Sequence, residues 1–136
     1  MFGHQLMLPI PDLDRTDHFL VIGANPMASN GSLMTAPDFP SRMRELRQRG
    51  GRLVVLDPRR TETAKIADEH HFVRPGSDVF VMLAMVATLI ADGVATWPAY
   101  AAVDRAQLEA ALAPFTPERA EAASGLPAAD VCRLAR

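Results

Sequence analysis

Three strand-like segments in this sequence each end in polar residues of types that recognise nucleotides. Residues 18–23 lead into Gly23-Ala24-Asn25-Pro26. Residues 52–56 lead into Asp57-Pro58-Arg59-Arg60-Thr61, and residues 70–74 into Pro75-Gly76-Ser77-Asp78. An acid such as Asp57, placed after a strand, can accept bonds from ribose hydroxyls. Arg59 and Arg60 can pair with phosphate. Exposed backbone N–H groups after Gly23 can cradle a pyrophosphate. Asp78 can accept two bonds from the N1–H and N2–H edge of guanine, which adenine does not offer. Each residue also has a plainer role. Gly23 can serve only a tight turn, Asp57-Pro58 only the end of a strand, and Asp78 only a helix cap. Arg59 and Arg60 can simply be solvated. The nucleotide reading rests on all three ends being polar together.

Other chemistries find little support. The G-x-G-x-x-G fingerprint is absent, so ordinary NAD binding is not indicated. His70 and His71 are adjacent, and neighbours on a strand point to opposite faces, so they do not share a metal ion. His4 and His18 are isolated. The single cysteine, Cys132, excludes an internal disulfide and any Cys-rich metal or iron–sulfur site built by these residues alone. It lies in an amphipathic stretch and reads as a small packed residue. No Ser-His-Asp set or nucleophile elbow is present, so no catalytic residue and no metal ligand is assigned. Met27, Met34, Met43, Met82 and Met85 read as core filling.

The elements that would carry these residues follow from period and punctuation. Strands are expected at 18–23, a short apolar run bounded by Asp17 and Gly23, at 52–56, stopped by Asp57-Pro58, and at 70–74, closed by Pro75-Gly76. A helix is expected at 40–49, with Phe39, Met43 and Leu46 on one face, Pro40 in its first turn and Gly50-Gly51 at its end. Short helical residues 61–67 follow the second strand. After the third, Ser77 or Asp78 should cap a long apolar helix ending at Gly93. The alternation implies an α/β fold: a Rossmann-like parallel sheet flanked by helices. Residues 91–136 hold 15 of the 22 alanines, with Pro98, Pro114, Pro117 and Pro127 between them, and should form short helices. The expected division is a Rossmann-like region over 1–95 and a helical segment over 96–136 that can belong to the same domain.

At 136 residues the chain has the size of one ordinary domain, and 49% hydrophobic with 22% charged residues is a globular balance. A net charge of -2 argues against a nucleic-acid partner. The longest apolar run, residues 79–91, is too short to span a bilayer and reads as a buried core helix. No signal peptide is visible at Met1-Phe2-Gly3-His4, and a cytoplasmic location is expected. Residues 5–11 form an apolar piece without an obvious partner, and the sequence stops inside a helical pattern. Both ends suggest a piece of a longer protein.

The run from Val21 through Gly23-Ala24-Asn25-Pro26 to Asn30, the run Asp57-Pro58-Arg59-Arg60-Thr61-Glu62-Thr63-Ala64, and Arg74-Pro75-Gly76-Ser77-Asp78 together resemble the molybdopterin oxidoreductase family. That family includes formate dehydrogenases, nitrate reductases and dimethyl sulfoxide reductases. The resemblance is specific over residues 8–93 and looser beyond. It implies a bis(molybdopterin guanine dinucleotide) cofactor carrying molybdenum or tungsten, with one guanosine arm held by an interior Rossmann-like domain. It places Asn25 along the pyrophosphate or ribose, Asp57 on the ribose, Arg59 and Thr61 on the phosphate side and Asp78 on the guanine edge. Gly23 and Gly76 belong to the turns that bring the backbone close. The family's four-cysteine motif for a 4Fe-4S cluster and its metal-ligating residue match nothing here. The resemblance therefore implies an excised region, inactive alone, of an enzyme that changes a small substrate by two electrons. Its partners would be the other domains of that enzyme and a redox substrate; formate dehydrogenase-like is the preferred subclass. The alternative is a stand-alone nucleotide-binding or regulatory module with no redox role, and a third reading treats the strand ends as turns of a structural domain.

Overall fold

The computed structural model describes residues 10–30, 36–96 and 103–136. The chain divides into two compact units, Met1–Phe72 and Val73–Arg136. In the first unit the order is β1 (His18–Ile22), α1 (Pro26–Ser29), α2 (Phe39–Gln48), β2 (Arg52–Leu56), α3 (Glu62–Ile66) and β3 (Glu69–His71). The strands form one sheet in the order β1-β2-β3. Both pairings are parallel: His18 lies opposite Arg52 and Ile22 opposite Leu56, while Val54 lies opposite Glu69 and Leu56 opposite His71. All three strands therefore finish at the same edge.

The sheet forms because β2 is apolar on both faces; Leu53, Val54, Val55 and Leu56 are all buried. Leu53 and Val55 share one face, as alternation on a strand requires. They join Val21, Phe39, Met43, Leu46 and Ala64 in one core cluster. The residues Phe39, Met43 and Leu46 do lie on the buried face of α2. Gly50, at φ +83°, takes the left-handed position that ends this helix.

Asp68 fastens the turn between α3 and β3. Its Oδ2 accepts the Leu53 N–H at 2.8 Å, and its Oδ1 accepts Arg47 Nε at 3.0 Å. Burial pushes this carboxyl up, but the Leu53 N–H and the Arg47 guanidinium outweigh it and hold it below the usual carboxylate range. A lowered folded-state pKa gives stability that is complete above the unfolded pKa and lost as pH falls through the folded value. Asp68→Ala leaves the buried Leu53 N–H without its acceptor, so a loss of about 1–2 kcal/mol is expected at neutral pH. Urea unfolding should show the gap between variant and parent closing below about pH 4.

The third strand begins one residue earlier and ends three residues earlier than the sequence suggests. Arg74 is recruited away from the sheet. In the second unit its N–H donates to Ser124 O at 2.8 Å, and its Nη1 donates to Ala122 O at 2.7 Å and Ala123 O at 3.2 Å. These carbonyls close α6, one of four helices among the described residues of this unit: α4 (Asp78–Ala91), α5 (Arg105–Leu112), α6 (Pro117–Ser124) and α7 (Ala128–Ala135). Asp104 caps α5 and Thr116 caps α6 through side-chain oxygens. The other three pack on α4, against small buried residues Val81, Ala84 and Thr88.

Two sequence expectations for α4 need correction. It is not buried all round: Val79, Met82 and Val86 are 52%, 51% and 40% exposed. Met82 therefore fills no core, whereas Met43 is buried, Met27 packs partly buried against the core and Met85 is half-buried. Met34 lies outside the described residues. Neither Ser77 nor Asp78 caps α4 with its side chain. Ser77 holds the capping position, but its hydroxyl donates to Arg74 O at 2.5 Å, so it is spent on the preceding turn. Among the described residues, no helix is long and apolar enough to cross a membrane.

Candidate functional site at the strand ends

Gly23 and Asp57 emerge side by side at the carboxyl edge of the sheet. The Gly23 N–H donates to Leu56 O at 2.9 Å, extending the ladder one step beyond Ile22. Gly23 then turns with φ +61°, and open space surrounds the position a Cβ would take. Backbone can therefore be approached closely here. The N–H groups of Ala24 and Asn25 have no partner among the described residues.

Asp57 is only 6% exposed. Its N–H donates to His71 O at 3.1 Å, and His70 Nε2 donates to its carbonyl at 3.1 Å. Carboxylate Oδ1 accepts the Arg59 N–H at 2.7 Å, which forms the turn around Pro58. Oδ2 has no bond among the described residues and is free to accept one. Arg59 and Arg60 are exposed, and their guanidinium groups have no hydrogen-bond partner among the described residues. His70 and His71 have separate partners: His71 Nε2 lies 3.3 Å from Glu69 Oε2. Among the described residues no group of three or more His, Cys, Asp or Glu could hold a metal ion.

Asn25 and Thr61 are engaged within the protein. Thr61 Oγ1 accepts the Ala64 N–H at 3.1 Å and caps α3. Asn25 Oδ1 accepts two bonds from Thr63, from its N–H at 3.1 Å and from its hydroxyl at 2.8 Å. Thr63 Oγ1 in turn accepts the Met27 N–H at 3.0 Å. Asn25 Nδ2 donates to Glu62 Oε2 at 2.7 Å. These bonds stitch the loop after β1 to the first turn of α3. The Asn25 side chain is a fastener between the two loops, and the backbone beside it is the open surface. Sequence reasoning assigned nothing to Glu62 or Thr63. The signal was a threonine in the first turn of a short helix, where a buried hydroxyl needs a partner.

Glu62 already brings negative charge to this edge. The Asn25 amide, then its own N–H, hold its carboxyl below the usual range; burial opposes them, and Lys65 and then Arg59 add smaller favourable charge. The set offers N–H and guanidinium donors and one free carboxylate oxygen. It can bind and orient a polar anionic ligand, and it contains no acid–base pair or nucleophile to transform one.

Gly76 and Asp78 belong to the second unit. Gly76 turns with φ +78° and has open space at its Cβ position. Asp78 opens α4, half-buried, with no hydrogen bond to its carboxylate among the described residues.

The chain matches a family model described as Molybdopterin oxidoreductase over residues 2–96. Formate dehydrogenase H of Escherichia coli is 28% identical over 129 residues, covering 93% of this chain and 17% of that protein. The thiosulfate reductase molybdopterin-containing subunit PhsA of Salmonella typhimurium is 30% identical over 143 residues, 100% of this chain and 17% of that one. Periplasmic nitrate reductase of Desulfovibrio desulfuricans is 34% identical over 58% of this chain and 10% of its own. Among solved structures, acetylene hydratase from Pelobacter acetylenicus shares the fold with a TM-score of 0.73 at 23% identity, covering 93% of this chain and 17% of that one. The chain thus spans about a sixth of the length of the relatives that it matches along nearly its whole extent.

Proposed function

The chain belongs to the molybdopterin oxidoreductase family, and from that premise we propose that it holds a guanosine arm of a bis(molybdopterin guanine dinucleotide) cofactor. The observation that carries this is the open edge at Gly23 and Asp57. There the free Asp57 Oδ2, the unpartnered Ala24 and Asn25 N–H groups and the Arg59 guanidinium lie on adjoining loops. Asp57 Oδ2 takes the ribose hydroxyls. The backbone after Gly23 and the Arg59 side chain take the phosphates, and Thr61 holds the turn from which Arg59 projects. Asp78, after the Gly76 turn, takes the guanine edge. The sheet then serves as half of a Rossmann-like binding region over residues 1–95, a reading supported by a family match that ends at residue 96.

In the whole enzyme the cofactor supplies a two-electron oxidation or reduction of a small substrate at molybdenum or tungsten. These residues bind and orient its far end. They include no ligand for the metal, so alone they have no turnover, and any 4Fe-4S cluster is held elsewhere. The preferred subclass is formate dehydrogenase-like, supported by the alignment with formate dehydrogenase H over 93% of the chain.

Titration with GDP and ADP tests this reading. Asp57→Asn keeps Oδ1 as the turn acceptor and removes the ribose acceptor at Oδ2. Loss of such a charge-assisted bond should weaken GDP binding about tenfold or more with the thermal midpoint unchanged. Asp78→Asn should abolish the preference for GDP over ADP. Unaltered GDP binding by both variants would remove both assignments.

A further inference from the structure

Glu62 has no part in the binding scheme above, yet its carboxylate accepts from the Asn25 amide nitrogen, which faces away from the two Thr63 donors. The orientation of the Asn25 amide is chemically fixed. Its Oδ1 accepts two Thr63 donors, and a flipped amide would set NH2 against the Thr63 N–H and turn a carbonyl toward the Glu62 carboxylate. Nδ2 is therefore held outward, and Glu62 Oε2 meets it at 2.7 Å. Glu62 is exposed, so burial does not force it into this position. Lys65 and Arg59 contribute favourable charge to it. Arg59 is also a cation assigned to the cofactor phosphates, and its guanidinium makes no hydrogen bond among the described residues.

We infer that Glu62 is an internal anion that competes with the ligand's phosphate for the Asn25 amide and for the field of Arg59. When a phosphate oxygen arrives, Glu62 releases Nδ2 and swings into solvent. When no phosphate is present, the carboxylate keeps Asn25 and the loop after β1 in their bound arrangement. The site is thus preorganised at the cost of affinity. This rests on the nucleotide-binding reading and adds to it a residue that sets how strongly the anion is held.

The plainer role for Glu62 is a favourable acid in the first turn of α3, where negative charge suits the helix dipole. The two roles differ in sign. A helix-end acid can be neutralised with no gain in ligand binding, whereas a competitor cannot. The experiment is a titration of the 136-residue chain with GDP, and separately with inorganic pyrophosphate, for the parent, Glu62→Gln and Glu45→Gln. Glu45 is an exposed acid of α2 and controls for net charge. Neutralising Glu62 should tighten both ligands about fivefold, the scale of one exposed charge-assisted contact, while Glu45→Gln changes them less than about twofold. The Asn25 side-chain amide resonance should move on GDP addition in the parent and move less in Glu62→Gln.

Parent binding with Glu62→Gln equal or weaker would overturn the competition and leave nucleotide binding intact. Equal tightening by Glu45→Gln would overturn it in favour of bulk charge. Binding by Glu62→Gln when the parent shows none would be the strongest support. No binding of GDP or pyrophosphate by any variant would reject the nucleotide-binding reading, and the competition with it.

Discussion

Asn25→Ala is expected to unfold the first unit at markedly lower urea and to weaken GDP binding at least about tenfold, by loss of a cooperative polar network. The side chain removed serves three groups: the Thr63 N–H, the Thr63 hydroxyl and Glu62. Thr63 is 0% exposed, so water does not replace the lost acceptor. Each buried donor left unpaired costs about 1–3 kcal/mol, and two of them bring the loss to about 3–4 kcal/mol. That is a large share of the roughly 5–15 kcal/mol by which a domain is stable. Thr63→Val tests the mechanism from the other side. It keeps the Thr63 N–H but leaves the Met27 N–H without its acceptor. If the stitch is one unit, the double variant should cost less than the sum of the singles, with a coupling of at least about 1 kcal/mol. Additive losses would mean that Asn25 and Thr63 act separately and that the two loops are not held by this network. The effect on GDP follows from position: the loop that Asn25 fastens carries the free Ala24 and Asn25 N–H groups, and the turn before α3 carries Asp57 and Arg59.

The strand-end residues were legible because a parallel sheet delivers its ligand-facing residues to one edge, and the alternating pattern fixed which residues those were. Gly23 and Asp57 needed only that rule. Asn25 needed more. Its place on the edge was readable, but its side-chain partners are 37 and 38 residues away in sequence. No local pattern distinguishes an asparagine that touches a ligand from one that fastens a loop. The third strand misled for a related reason: His70 to Arg74 has strand character, but Arg74 is drawn to the end of α6, 48 residues on. The long apolar helix misled because hydrophobic residues imply a covered surface, and composition alone does not say which face of α4 its neighbours reach. Val81 and Ala84 face them, whereas Val79 and Met82 do not.

The pair Gly50-Gly51 shows the same limit and gives the other large expected effect. In sequence the two are equivalent helix terminators. In the structure Gly50 turns left-handed with open space at its Cβ position, whereas Gly51 has ordinary φ and no space at all. A Cβ at Gly51 would meet Leu46 Cδ1 at 2.6 Å, Asp17 O at 2.8 Å and Leu46 O at 2.9 Å. Two of these are backbone carbonyls already in use: Leu46 O accepts the Gly51 N–H, and Asp17 O accepts the Arg52 N–H, both at 2.8 Å. The third belongs to a leucine with 0% exposure, packed in the core, so it has nowhere to turn. An alanine must push α2 away from the start of β2 or break the bond that begins the β1–β2 ladder. Gly51→Ala should cost about 3–4 kcal/mol, at the upper end of overpacking, because a backbone bond is at stake as well. Gly50→Ala should cost only about 1–2 kcal/mol, the penalty of a left-handed residue with a Cβ. The loss at Gly51 should also reach the ligand edge. The register that opens with His18 opposite Arg52 closes with Ile22 opposite Leu56, and Gly23 is bonded to that same Leu56. A Gly51→Ala protein that still folds should therefore bind GDP more weakly than Gly50→Ala. Equal urea midpoints for the two variants would mean that α2 can shift without strain, and that the sheet register does not depend on the close contact at Gly51.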